Sequence, residues 1–189
     1  MKVGVLSLQG AIEEHLRMIR NCGLEAIKVK SVEDLKRVER LILPGGESTT
    51  IGKLARLYGL DKAIEKEGKK GMPIFGTCAG MILLAKEIVN RQQIRFNLID
   101  IVVERNAFGR QVDSFETDLE IKGFNGKSFR AVFIRAPYIK EIGNKVEILS
   151  TFDRKIVMAR QNNILVSSFH PELTDDLRVH RYFLSKNYC

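Results

Sequence analysis

Pro73-Ile74-Phe75-Gly76-Thr77-Cys78-Ala79-Gly80-Met81-Ile82-Leu83-Leu84-Ala85 carries a short apolar run into Gly-x-Cys-x-Gly and on into a helix-forming apolar segment. That is the spacing of a nucleophile elbow, a sharp strand-to-helix turn, with Cys in place of the more familiar Ser. Glycines at 76 and 80 let the strand and helix backbones approach across a turn that holds Cys78 in a strained conformation. The sulfur then stands at a helix N-terminus, where unpaired N–H groups and the helix dipole favour a thiolate. A buried structural Cys in an ordinary βα turn is the competing reading, and an elbow without a base does not decide between them.

Upstream of the elbow the pattern is regular. Val3-Gly4-Val5-Leu6-Ser7-Leu8 reads as a buried strand, and Ile12, Leu16, Ile19 and Cys22 then fall on one face of a helix that Gly23 closes. Ala26-Ile27-Lys28-Val29 is a second strand, Ser31 to Asp34 a capping box opening a short helix, and Leu41-Ile42-Leu43 a third strand. Pro44-Gly45-Gly46-Glu47-Ser48-Thr49-Thr50 is a Gly-rich turn into a helix that stops at Tyr58-Gly59. A further helix ends on Lys69-Lys70-Gly71, and the helix after the elbow is expected to run from Met81 to Val89. Strands alternating with helices predict a parallel sheet with helices on both faces. After residue 100 the strand-like runs lie at 102–103, 131–134, 146–150, 156–159 and 164–168, several separated by short turns, which predicts antiparallel pairs. Thr174 is expected to cap a last helix. The expected fold is α/β: one domain over 1–189, a three-layer α/β/α sandwich with a mixed, mostly parallel central sheet and an antiparallel extension.

Sites in such sheets form at the carboxyl ends of the strands. Besides Cys78, two strand ends carry suitable chemistry: Ser167-Ser168-Phe169-His170-Pro171-Glu172 and the Gly45-Gly46-Glu47-Ser48 turn. A thiol nucleophile needs an imidazole to hold its proton, and the imidazole needs an acceptor on its other nitrogen. His170 and Glu172 supply both. The N–H of Ala79 and that of Gly46 are candidate donors to a tetrahedral oxyanion. His15 and His180 sit in helical patterns beside charged residues and read as surface groups.

Composition narrows the setting. The chain has 189 residues, 44% of them hydrophobic and 29% charged, as in ordinary globular proteins. No apolar run matches a signal peptide or a membrane span, which points to the cytoplasm. Cys22, Cys78 and Cys189 are scattered and form no C-x-x-C pair, against a disulfide framework or a zinc site. No metal and no cofactor is expected. The net charge of +8 is spread among interleaved acids, and with no basic tail or RNA-binding motif it indicates a solvated surface rather than nucleic-acid binding. Pro-Gly-Gly-Glu-Ser lacks the Gly-Lys ending of a nucleotide P-loop.

The elbow, the Pro-Gly-Gly turn and the late His-x-Glu resemble the class I glutamine amidotransferases. Val5-Leu6-Ser7-Leu8-Gln9-Gly10, Leu43 to Thr50, the block Val102 to Glu116, Phe133-Ile134-Arg135-Ala136-Pro137 and Ser168 to Leu173 are similar to one branch. That branch is the glutaminase subunit of the two-component pyridoxal 5′-phosphate synthase, and the likeness runs from the first strand to the last helix. The resemblance implies that Cys78 attacks the side-chain amide of L-glutamine, with His170 as base and Glu172 orienting it. It implies glutamine contacts from Gly46, Glu47, Ser48, Arg105, Ile134 and Arg135. It also implies a (β/α)₈-barrel synthase partner, in an assembly of twelve synthase and twelve glutaminase subunits, that receives the ammonia by a protected route and completes the Gly46-Glu47 loop. The triad alone would equally serve a glutaminase feeding another synthase, a γ-glutamyl hydrolase, or a binding module that has kept the residues.

Overall fold

The computed structural model describes residues 1–105, 114–124 and 126–185; the block 106–113 and Cys189, both invoked above, lie outside the described residues. Its first half follows from local signals. Strand β1 (Lys2–Leu6) leads to α1 (Ile12–Asn21), β2 (Glu25–Val29), α2 (Val32–Leu35), β3 (Arg40–Leu43), α3 (Ser48–Leu57), α4 (Leu60–Lys69), β4 (Ile74–Thr77) and α5 (Ala79–Leu84). Gly23, at φ +79°, closes α1: its N–H reaches Arg20 O at 2.8 Å and the Leu24 N–H reaches Ile19 O at 3.3 Å, a Schellman arrangement. The Ser31 side chain and Asp34 exchange bonds with each other's backbone, so the capping box of α2 is present.

The second half comprises β5 (Ala85–Ile88), β6 (Ile99–Glu104), β7 (Ser114–Leu119), β8 (Phe129–Ile134), β9 (Tyr138–Ile142), β10 (Glu147–Phe152), β11 (Lys155–Gln161), β12 (Ile164–Ser167), a one-turn 3₁₀ helix (Pro171–Leu173) and α6 (Arg178–Leu184). Strands β2-β1-β3-β4-β12 run in that order, all parallel. The sheet then turns antiparallel through β11, β9 and β6, with β10 also on β11. Asp153 and Arg154, at φ +47° and +59°, make the tight turn between β10 and β11, with the paired positive φ of a type I′ hairpin. The β7–β8 hairpin forms a separate two-stranded sheet.

Alternation along the strands sends side chains to two cores. Leu6, Leu41, Leu43, Ile74 and Val166 pack with α2 to α5, whereas Val3, Val5, Ile42, Phe75 and Leu165 pack with α1, α6 and the β7–β8 hairpin. The result is the expected α/β/α sandwich with a mixed sheet.

Three local expectations change. The helix after the elbow stops at Leu84, because Ala85–Ile88 is drawn into parallel pairing with β6, a tertiary demand that overrides local propensity. Thr174 does not cap the last helix: α6 begins at Arg178, whose N–H is taken by Asp176 Oδ1 at 3.0 Å, while Thr174 Oγ1 donates to Pro171 O at 3.1 Å. The β5–β6 pair adds a parallel step within the antiparallel half. No helix among the described residues is long and apolar enough to cross a membrane.

Candidate active site

Four parallel strands end on one side of the sheet, and each delivers a piece of the site: Gln9-Gly10 after β1, Pro44 to Gly46 after β3, Cys78 after β4 and His170 after β12. The order β2-β1-β3 puts the switch point, where such sheets open a crevice, between the first two of these ends. Cys78 has φ +48° and ψ −100°, a strained conformation that costs about 1–3 kcal/mol in general. Its N–H is held by Ser167 O at 2.8 Å. The two glycines are demanded by packing: a Cβ on Gly76 would lie 2.6 Å from the Gly80 carbonyl carbon, and one on Gly80 would lie 2.1 Å from Leu43 O.

The His170 N–H donates to Val132 O at 2.8 Å, which anchors that segment to β8. Its Nδ1 lies 2.7 Å from Glu172 Oε1, and Glu172 is wholly buried at 0% exposure. The Arg17 guanidinium reaches the Glu172 carbonyl oxygen at 3.4 Å. Burial opposes the charge on His170, yet hydrogen bonds to Cys78 and Glu172, with their charges, outweigh it and push the imidazole up to about 10. Burial would likewise raise the Glu172 carboxyl, but the His15 and His170 rings beside it hold it below the usual carboxylate range. An imidazole held between a thiol and a carboxylate is placed to take up the thiol proton and hand it on. Cys78 Sγ also stands 3.9 Å from Ile134 O.

A cavity of about 540 Å³ opens over this pair. Cys78, Ala79, His170 and Gly46 line it, as do Glu47, Ser48, Arg105, Ile134 and Arg135, so the structure brings the sequence-predicted residues to one cavity, with Glu172 behind His170. The Ala79 N–H, in the first turn of α5, has no intrahelical acceptor. A Cβ on Gly46 would meet Gln9 Oε1 at 2.5 Å, so its missing side chain makes room for Gln9, whose Oε1 also accepts the Glu47 N–H at 2.7 Å. The Glu47 carboxylate is the N-cap of α3: it accepts from Thr49 Oγ1 at 2.6 Å, Thr50 N at 2.8 Å and Thr50 Oγ1 at 3.0 Å. Arg105 bridges Glu47 Oε1 at 3.4 Å and Gln93 Oε1 at 3.2 Å, and Gln93 also donates to Ser48 Oγ at 3.1 Å.

Two histidines depart from expectation. His15 and His180 are not surface groups but wholly buried, on α1 and α6. His15 Nε2 lies 3.2 Å from Thr77 Oγ1 and 3.4 Å from Glu172 Oε2, while its Nδ1 is 3.1 Å from His180 Nε2. The signal was in the spacing: His15 falls on the stripe of Ile12, Leu16 and Ile19, and His180 between Val179 and Phe183. Gln9 carries no comparable signal, being one polar residue after a strand.

The pattern that defines the SNO glutamine amidotransferase family matches residues 5–188. A relative from Pelotomaculum thermopropionicum, named pyridoxal 5′-phosphate synthase subunit PdxT, is 59% identical over 186 residues, 98% of this chain and 95% of that protein. One of the same name from Carboxydothermus hydrogenoformans is 56% identical over 98% of this chain and 97% of its own length. A crystal structure described as a glutamine amidotransferase superposes with a TM-score of 0.92 at 53% identity, covering 96% of each chain. The PurLQS structure from Thermotoga maritima, at TM-score 0.70 and 17% identity, shares the fold. Sequence and architecture agree along almost the whole length, and the chain belongs to the SNO glutamine amidotransferase family.

Proposed function

We propose that this chain hydrolyses L-glutamine to L-glutamate and ammonia, as the glutaminase subunit of a pyridoxal 5′-phosphate synthase. The observation that carries the reading is the buried His170–Glu172 pair, 2.7 Å apart, behind the cavity that Cys78 lines. The names of the curated relatives support the choice of synthase.

In this reading the Cys78 thiolate attacks the side-chain amide carbon of glutamine. The negative oxygen is met by the N–H groups of Ala79 and Gly46. The intermediate collapses to a γ-glutamyl thioester as His170 gives its proton to the departing ammonia. His170 then takes a proton from water, which attacks the thioester; the C–S bond breaks, glutamate leaves, and the thiolate beside a protonated imidazole is restored. Glu172 holds the ring through Nδ1. Arg105 and Arg135 face the substrate carboxylate, for which a guanidinium fork is suited, and Gly46, Glu47, Ser48 and Ile134 form the neighbouring wall.

Ammonia is mostly protonated, and so non-nucleophilic, in neutral water. Passing it directly to a partner avoids that loss. The partner in this proposal is a (β/α)₈-barrel synthase subunit in a twelve-plus-twelve complex in the cytoplasm. The test is glutamate release by the chain with its synthase partner, abolished by Cys78→Ala. Absence of glutamate release from the wild-type complex overturns the reading.

A further inference from the structure

A buried carboxylate needs a donor at each oxygen, and Glu172 is wholly buried. Oε1 has the His170 Nδ1–H at 2.7 Å. Oε2 has no hydrogen bond of good geometry, yet His15 Nε2 stands 3.4 Å away. Bonds around a reacting group are often long in the unliganded protein and tighten once substrate is bound. His15 belongs to α1, in the layer opposite the elbow helix, and is backed by His180 of α6 at 3.1 Å.

Proton placement decides what His15 offers. Burial pushes both imidazoles down, His180 to about 3, so both rings are neutral at neutral pH. With protons on the two Nε2 atoms, His180 donates to His15 Nδ1, and His15 turns an N–H toward Glu172 Oε2 and Thr77 Oγ1. Of the polar atoms of these two rings and the carboxylate, the His180 Nδ1 lone pair alone then has no partner among the described residues. With protons on the two Nδ1 atoms, a His15 lone pair faces the carboxylate and His180 strands a buried N–H. A stranded buried N–H and a lone pair against an anion cost more than one idle lone pair.

We propose that His15 is a positioning residue for the reaction: its Nε2–H donates to Glu172 Oε2, which keeps Oε1 on His170 Nδ1, and His180 holds His15 in that tautomer. The inference rests on the glutaminase reading and deepens it. Glu172 is then gripped at both oxygens, by His170 just before the 3₁₀ turn and by His15 from α1, and the imidazole that serves Cys78 cannot swing away.

Glutaminase kinetics of His15→Phe and His15→Gln, each with the synthase partner, test this. Phe fills the space with no donor; Gln restores an N–H at about the same reach. The expected result for His15→Phe is a kcat lowered about 10- to 100-fold with KM within about twofold of wild type, and recovery of most of kcat in His15→Gln. His15→Phe with wild-type kcat, or His15→Gln falling as far as His15→Phe, overturns the role. Should His15→Phe fail to fold, ¹⁵N shifts of the histidine rings in the wild-type chain decide: an Nε2–H tautomer at His15 is expected, and an Nδ1–H tautomer overturns the proposal. A wild-type complex that releases no glutamate would instead sink the glutaminase reading, which keeps the two failures apart.

Discussion

The His170 ring rests on the bare backbone of Gly45: a Cβ built there would lie 2.3 Å from Cε1 and 2.9 Å from Nδ1. The turn after β3 therefore positions the imidazole from one side while Glu172 grips it from the other. Gly45→Ala must push the ring off the line between Cys78 and Glu172. Misplacing a reacting group by about 1 Å can cost about 100-fold in rate, and that is the expected fall in kcat. Overpacking should lower stability by about 1–3 kcal/mol, read by urea unfolding. Undiminished turnover would show that the ring has another resting place.

Glu172→Gln separates charge from shape. The amide keeps the volume but presents N–H to His170 Nδ1 in half of its orientations, selecting the wrong tautomer. In a related triad such a change costs about 10,000-fold in kcat. A loss of at least about 100-fold is expected here, with KM for glutamine little changed, because only the base is disabled. A mutant within tenfold of wild type would mean that His170 keeps its tautomer without the carboxylate.

The His170 imidazole, pushed up to about 10, makes stability depend on pH. Between the ordinary histidine value of about 6.5 and that raised value the folded chain binds more protons than the unfolded one, so stability falls as pH rises. The contribution is fully present below about 6.5 and lost on passing about 10. Thermal unfolding of wild type and His170→Gln across that range should show a gap that narrows steadily with rising pH. A gap that widens contradicts the assignment of the proton to His170.

The first half of the fold was legible because its signals are local. Apolar runs ending in glycine, a helical stripe at 12, 16 and 19, and the Ser31 capping box each announce an element without reference to distant residues. Strand β7 escapes because only its last residue, Leu119, is buried, and β9 because it is exposed along much of its length and pairs with β6, far back in the chain. Ala85–Ile88 misleads because its pairing with β6 leaves no mark on its own helix-like sequence. In the site, residues inside motifs are legible, whereas the charged neighbours Glu13, Glu14 and Arg17 hide the place of His15 on the buried stripe. Glu47 is legible as a glutamine contact through the family resemblance alone and is not legible as a cap, because an N-cap glutamate is outside the usual set of short polar residues.

That cap gives the last prediction. The Glu47 carboxylate opposes its own desolvation with bonds from Thr49 and Thr50, and these hold it down to about 2. Glu47→Ala removes the acceptor for the Thr50 N–H, and loss of a helix cap typically costs about 1 kcal/mol. The side chain is 47% exposed, so its charge contributes little beyond the cap itself. A depressed carboxyl contributes stability above its unfolded value, and that contribution is lost as pH falls through the folded one. The difference between wild type and Glu47→Ala should therefore be present at neutral pH and shrink on acidification from about 4.5 towards about 2. Glu47 also receives the Arg105 guanidinium at 3.4 Å, so the mutant leaves that cation held by Gln93 alone among the described residues and should raise KM for glutamine more than it lowers kcat. Urea unfolding at stepped pH, paired with steady-state kinetics in the synthase complex, reads both effects. If kcat falls instead while KM holds, Glu47 acts on the transition state and the cap is not its main service to the site.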